Sequence, residues 1–394
     1  MFPSNQNLCC IMRILNCLFV AVSFVIGMVG CGRSASDADD AQVPTVRLSM
    51  DEAPLADTVA GRLFRDPSYV TLRGRMLGSI SQLLDWRDRY VIFDRKQNYV
   101  YLFDTTGRFI RQVGQAGKGP REYVRLSGVA LAGDTLVFYA DQPNKLMYYD
   151  RVGDFLGERP IARRYCFLEG IGYGGADDRV YGVMPANRGA SGYTVTRLTE
   201  DGTDGADFLP FEEWPAAVTA GAILTAADNG VLWISRPFDN RVYRVDRTNG
   251  EPRAVFRLDF GAGNMPAGYT EGLDDYDVIL KASKEGVVFH AARPCQVGDR
   301  LLIGTFGNYF LIDLADGTAR KVESIAVGDG VEGQFWSYVP MEYQSRRLVL
   351  QLIPERVQAL AGMGRMKVTP QMDSLLQANG KLENPILMIY ELED

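Results

Sequence analysis

Apolar and polar positions along this chain fall into a repeated unit: an apolar strand, a polar break, a second apolar strand, then a turn that ends in glycine before an outer strand. The unit is clearest at Tyr90-Val-Ile-Phe-Asp94 and Val100-Tyr-Leu-Phe-Asp104, followed by Thr105-Thr-Gly107 and a strand at 108–113. Turn glycines stand at Gly107, Gly153, Gly202, Gly250 and Gly317, spaced by 46, 49, 48 and 67 residues. Self-similarity at a pitch of about 40 to 50 residues marks a radial β repeat. With the first set (77–84, 90–94, 100–104, 108–113) as template, a second set is predicted at 126–132, 135–140, 145–150 and 155–158, and a third at 168–173, 179–183, 193–198 and near Phe208. The fourth falls at 222–226, 231–235, 241–246 and 254–258, the fifth at 288–292, 301–305, 309–313 and 319–323, and the sixth at 335–340, 347–352 and 385–392.

The middle strands of each set are nearly continuous β-branched and aromatic runs, as strands covered on both faces require. Six sets of about 48 residues fit the length from residue 77 onward once two insertions are allowed. These are 261–286, with an amphipathic patch at 273–284, and 354–382, with a helix-like stretch at 371–377. Upstream strands at 43–49 and 69–72 are candidates to complete the outer edge of the last set, which closes a ring and removes an open edge. The predicted fold is an all-β, six-bladed β-propeller over residues 43–394, with four-stranded antiparallel blades around a central channel.

At the other end of the chain, Met12-Arg13 precedes an apolar run at 14–29, shorter than the roughly 20 residues a membrane-spanning helix needs and suited to a signal peptide. The run ends in Met28-Val29-Gly30-Cys31, which resembles the lipobox of bacterial lipoproteins. That resemblance implies cleavage before Cys31, acylation of its thiol and anchoring in a lipid bilayer; Met12 is then the natural start. Residues 32–42 are small, polar and acidic, with nothing to bury, and read as a flexible tether. Acidic residues after the lipid-bearing cysteine resemble the surface-export signal of Bacteroidota lipoproteins, which implies an outer-membrane protein on the cell surface, or otherwise facing the periplasm. Of six cysteines, Cys9, Cys10, Cys17 and Cys31 belong to this leader, and Cys166 and Cys295 are too few for a disulfide framework or a metal site.

The 394 residues are 46% hydrophobic and 23% charged, with 41 glycines, the composition of a folded protein with many tight turns. A formal net charge of -7 without basic clusters excludes nucleic acid as a partner.

Candidate chemistry is sparse. Gly114-Gln-Ala-Gly-Lys118-Gly lacks the spacing and the Ser or Thr of a phosphate-binding loop. His290 is the single histidine, so paired-histidine zinc sites are excluded, and it reads as a hydrogen-bonded channel-lining residue, or otherwise as a general base or ligand contact. Glu212-Glu213, Asp177-Asp178 and Asp274-Asp275 are adjacent, so on a strand they face opposite ways and cannot share a substrate. The loops that lead into each inner strand, where propellers bind, carry Arg121, Glu122, Tyr123 and Arg125, then Arg163, Arg164 and Tyr165, then Trp214, and finally Phe335, Trp336 and Tyr338. Aromatics, arginines and carboxylates at one rim suit a carbohydrate, a peptide or a protein loop; the alternative is that each ties adjacent blades together. No motif calls for a cofactor or a metal.

The segment 90–104, Gly107-Arg-Phe-Ile, the loop Gly114-Gln-Ala-Gly-Lys-Gly-Pro-Arg-Glu-Tyr123 and the ending Asn384-Pro-Ile-Leu-Met-Ile-Tyr390 resemble the six-bladed propeller lipoproteins of Bacteroidota, relatives of NHL-repeat and TolB-like propellers. The resemblance implies a propeller with a central channel; address and architecture together favour a non-catalytic module that binds a protein, peptide or glycan at the channel mouth. Two other readings stand beside it: a hydrolase or lyase with its active site in the channel, and a structural scaffold of an envelope complex.

Overall fold

The computed structural model describes residues 43–50, 64–65, 67–165, 167–184, 192–202, 205–210, 223–248, 250–289, 292–305, 308–322, 337–364, 368, 370–378 and 384–393. Two short strands open the described chain, β1 (Thr45–Arg47) and β2 (Ser68–Thr71). Blade 1 follows as β3 (Gln82–Asp85), β4 (Arg89–Asp94), β5 (Tyr99–Asp104) and β6 (Phe109–Val113). Blade 2 is β7 (Arg125–Ala132), β8 (Thr135–Gln142), β9 (Asn144–Tyr149) and β10 (Phe155–Pro160). Blade 3 is β11 (Gly170–Gly174), β12 (Arg179–Val183), β13 (Tyr193–Leu198) and β14 (Gly205–Pro210). Blade 4 is β15 (Ile223–Ala226), β16 (Leu232–Ser235), β17 (Arg241–Val245) and β18 (Arg253–Asp259). Blade 5 is β19 (Ala292–Val297), β20 (Arg300–Thr305), β21 (Asn308–Asp313) and β22 (Ala319–Val322). The last stretch supplies β23 (Ser337–Val339), β24 (Met341–Glu342), β25 (Arg347–Leu352) and β26 (Ile386–Glu391). Six antiparallel sheets in a ring result, the predicted six-bladed propeller.

The continuous apolar runs of the middle strands are explained by what lies on each side. In β4, Val91 and Phe93 pack into the cluster shared with Val129, Leu131 and Phe138 of blade 2. The alternate residues Tyr90 and Ile92 pack into the cluster shared with Val349, Leu387 and Ile389 of blade 6. A strand with a blade on either face has no solvent side, so period-2 alternation becomes a run of apolar residues.

A second device joins blades. Asn98, at the turn before β5, donates to Val124 O (2.9 Å) and accepts from Leu126 N (2.8 Å), holding the connection into blade 2. Asn144 does the same ahead of blade 3, donating to Ile161 O (3.0 Å) and Ala162 O (3.1 Å). Asn384 repeats it at the seam, donating to Leu72 O (3.0 Å) and Arg75 O (2.6 Å) and accepting from Leu77 N (2.8 Å). These three blades thus grip the loop that leads into the next and pair loop groups that would otherwise be stranded.

The ring closes where β2 pairs antiparallel with β26, from Ser68↔Ile389 to Thr71↔Ile386, giving blade 6 the order β2-β26-β25-β23. Gly107, the first turn glycine, has φ +81, and a Cβ there would collide with the carbonyl of Thr71. The other upstream strand does not join that blade: β1 runs parallel to β18 and makes a fifth strand on blade 4. Its side chains decide this, since Val46 and Leu48 bury themselves among Phe256, Leu258 and Phe310. Two boundaries also differ from expectation. The inner strand of blade 1 begins at Gln82, because 77–80 bury their apolar residues in a loop, and that of blade 5 begins at Ala292. Helices α1 (Asp275–Glu285) and α3 (Pro370–Ala378) fill the foreseen insertions; α2 (Pro354–Gly362), started by Pro354 at its first turn, is an addition. Cys295 is a buried free thiol, and Cys166 lies outside the described residues, as do Cys31 and the leader.

Candidate functional site

The first two strands of every blade meet in a turn at one end of the ring; the chain enters each first strand at the other end. The turn end is crossed by the chain itself. After β23, the backbone leaves blade 6 and β24 pairs parallel with β3 of blade 1, Met341↔Leu83 and Glu342↔Leu84. Tyr343, held at φ 63, donates its N–H to Ala226 O of blade 4 (3.1 Å), and its hydroxyl accepts from Tyr173 N of blade 3 (3.2 Å). Its ring packs against the apolar clusters between blades 1 and 2, 2 and 3, and 3 and 4. Ser345 N donates to Asp228 of blade 4 (3.0 Å), and Ser345 O accepts from Gly298 N of blade 5 (2.6 Å). One short segment therefore bonds to four blades besides its own and blocks the axis.

Glu342, 4% exposed, is the carboxylate in this crossing. Its oxygens accept from Gln82 Nε2 (3.1 Å) and Ala226 N (3.3 Å). Burial pushes its pKa up to about 7, with the amide of Gln82, the N–H of Ala226 and the charge of Arg293 pulling the other way. Both oxygens are occupied by the protein, so Glu342 serves the crossing and is not presented to a ligand.

The entry end is lined by arginines from three blades. Arg95 follows β4, Arg125 opens β7 and Arg293 sits in β19, all with exposed surface. Arg95 Nη2 donates to Ser127 O (2.9 Å) and Glu169 O (3.0 Å), spanning blades 1 to 3. Its pKa is lowered, first by desolvation, then by the nearby charges of Arg293 and Arg125, with Glu169 and Asp141 opposing. A guanidinium that keeps exposed area yet is desolvated by surrounding protein lies in a concave wall. Arg125 Nε donates to Asp141 Oδ2 (2.6 Å), Ser127 Oγ lies 3.2 Å from the same oxygen, and the Arg125 guanidinium lies 5.9 Å from the ring of Phe167. That bond to Asp141 holds the Arg125 pKa above its ordinary value. Phe167 and Arg293 both hold left-handed backbone, at φ 68 and 37, and β19 bulges between Ala292 and Cys295. Such conformations cost bulky residues about 1 to 3 kcal/mol each and gather at functional sites.

The sequence-predicted residues fare differently. Tyr123 and Tyr165 are fully buried in interblade core. Tyr123 belongs to the cluster of blades 1 and 2, and Tyr165 to that of blades 2 and 3. Glu122 closes its own loop by accepting from Gly119 N (2.7 Å), and Arg121 lies over Phe155 on the outer strand of blade 2 (5.3 Å). Arg163 is exposed in a short turn before blade 3. Trp214, His290 and Trp336 lie outside the described residues. Among the described residues no group of three or more His, Cys, Asp or Glu is placed to hold a metal, and no helix is long and apolar enough to cross a membrane.

Comparison with solved structures places this ring beside a protein named as exported from Bacteroides fragilis NCTC 9343, with a TM-score of 0.70 and 16% identity over 89% of this chain and 100% of that one. Weaker likenesses are a member of the DUF4221 family from Bacteroides vulgatus ATCC 8482, at TM-score 0.47 and 8% identity over 84% of this chain and 98% of that one, and virginiamycin B lyase from Staphylococcus aureus, at 0.42 and 12% over 73% and 85%. At these identities the likeness is one of fold. The chain matches no curated protein. A family profile does match, over residues 73–391, from Arg73 just ahead of blade 1 to the last residue of β26, and by it the chain belongs to DUF4934, a domain of unknown function.

Proposed function

We propose that this chain is an exported lipoprotein, anchored in the outer membrane through acylated Cys31, that binds a ligand without catalysis at the entry-end mouth of its propeller. The observation that carries the reading is the asymmetry of the axis: the turn end is closed by Met341 to Ser345, while three exposed arginines from blades 1, 2 and 5 line the other end. The lipobox-like Met28-Val29-Gly30-Cys31 supports the address, and the exported Bacteroides fragilis protein of the same fold agrees with it.

The test of the site exposes the full-length protein to a panel of neutral and acidic glycans and peptides while amide exchange is followed. A ligand seated at the mouth slows exchange in β7 and β11, whose first residues line it. Protection confined to the outer strands sinks the reading and favours a scaffold that meets partners with its rim. For the address, Cys31→Ala moves the protein from the membrane fraction to the soluble fraction; a variant that stays in the membrane refutes the anchor.

A further inference from the structure

The geometry points to an acidic oligosaccharide, carrying its charge as sugar carboxylates, as the ligand of the entry-end mouth; this deepens the binding reading above and rests on it.

Charge is layered there. The Arg125 side chain is 49% exposed, and its partner Asp141 only 1%. Arg95 and Arg293 are exposed as well, whereas Glu342, on which the charge of Arg293 acts, is 4% exposed. A ligand approaching along the axis meets the guanidinium groups of Arg95, Arg125 and Arg293 with the half-buried Glu169 among them, while the carboxylates of Asp141 and Glu342 lie behind. The buried carboxylate of Asp141 orients Arg125 and does not reach out to compete with the ligand's carboxylates for the other guanidinium groups. A planar guanidinium offers paired N–H donors that match a carboxylate.

The backbone around the mouth argues against a peptide docked by strand addition, the mode in which an extended chain pairs with a free sheet edge. Here axis-facing backbone groups in and beside several inner strands are already capped by neighbouring side chains. Gln82 pairs with both Val129 N (3.1 Å) and Val129 O (3.3 Å), and Arg95 takes Ser127 O and Glu169 O. Thr225 takes Pro294 O (2.5 Å), Gln351 takes Ile80 O (3.2 Å), and β24 covers β3. Among the described residues the mouth presents side-chain charge and the aromatic face of the half-buried Phe167 beside Arg125. A sugar ring bearing a carboxylate uses both, its apolar face on the ring and its charge on the arginines.

The test is calorimetric titration of the full-length acylated protein in detergent with a galacturonate trimer, a hyaluronan tetramer, methyl-esterified forms of each, and a triglutamate peptide. One acidic sugar is expected to bind, its ester at least tenfold more weakly, and the acidic form alone to lose at least tenfold in Arg293→Gln and to recover only in part in Arg293→Lys, which restores the charge without the paired donors. The thermal midpoint of each variant serves as the check on folding. Equal binding of acid and ester overturns the carboxylate assignment and leaves a mouth that binds neutral glycans. Triglutamate binding as tightly as the sugars overturns the glycan assignment. If no acidic sugar binds while other ligands of the wider panel protect β7 and β11, this inference falls alone; if none protects them, the binding reading falls with it.

Discussion

Two arginine–aspartate pairs have their aspartate where the second strand of a blade turns into its third, one in blade 4 and one in blade 2, and they are used in opposite ways. Arg236 and Asp239 are both buried, at 3% and 4% exposure. Arg236 also donates to Pro210 O of blade 3 (3.1 Å), and Asp239 accepts from Tyr243 Oη (2.6 Å) and Arg241 Nε (2.8 Å). Burial alone would raise the pKa of Asp239, but the charges of Arg236 and Arg241 and the bonds from Arg241 and Tyr243 hold it below the ordinary value. In blade 2 the aspartate is equally buried, yet its arginine reaches out into the mouth. The same two residue types therefore make a rivet between blades in one place and a presented cation in the other. Which role results is decided by whether the next blade covers the arginine.

The largest effect is expected from Asp239→Asn, which leaves the Arg236 charge buried and uncompensated and should cost about 3 to 5 kcal/mol in denaturant unfolding. The wild-type pair should give full stabilisation above the ordinary aspartate pKa of about 3.9 and lose it only as pH falls through the lower folded value. A loss below 1 kcal/mol would mean that the pair is no rivet.

Glu342 sharpens the comparison as a buried carboxylate that accepts from neutral donors. Its folded pKa of about 7 lies above the unfolded value, so between the two the unfolded chain sheds a proton that the folded chain keeps. Stability should fall by roughly 3 to 4 kcal/mol as pH rises from about 4.3 to 7 and level off above. Glu342→Gln should flatten that slope, and an unchanged slope would assign it to another group. Arg125→Gln should be the mildest, about 1 kcal/mol, since an amide still donates to Asp141 and the arginine it replaces is half exposed. A loss matching that of Asp239→Asn would erase the distinction between the two pairs.

Much of the ring was legible because its period is written in turn chemistry and its blades in unbroken apolar runs. The gripping asparagines leave a mark in the sequence too: Asn98, Asn144 and Asn384 all stand at or just before the start of a third strand. The partner of β1 was not legible, since three residues carry no register. Nor was the axial crossing, because Met341 and Tyr343 look like a continuation of a hairpin. Tyr123 and Tyr165 drew attention as aromatics among charged neighbours, although a polar loop can fold its one aromatic inward. The arginines of the mouth lie in three blades, and closure alone brings Arg95 and Arg293 near each other.

The parallel pairing of β1 with β18 has a mechanical consequence. A pull on the chain ahead of Pro44 is met first by Thr45↔Arg257, Val46↔Leu258 and Arg47↔Asp259, reinforced by Lys321 of blade 5 holding Met50 O (2.6 Å). Load is thus delivered to blade 4, across the ring from blade 1, while β2, whose release would open the seam, stays slack behind it. With the chain pulled from that end, tension that frays β1 leaves the β2–β26 seam unloaded.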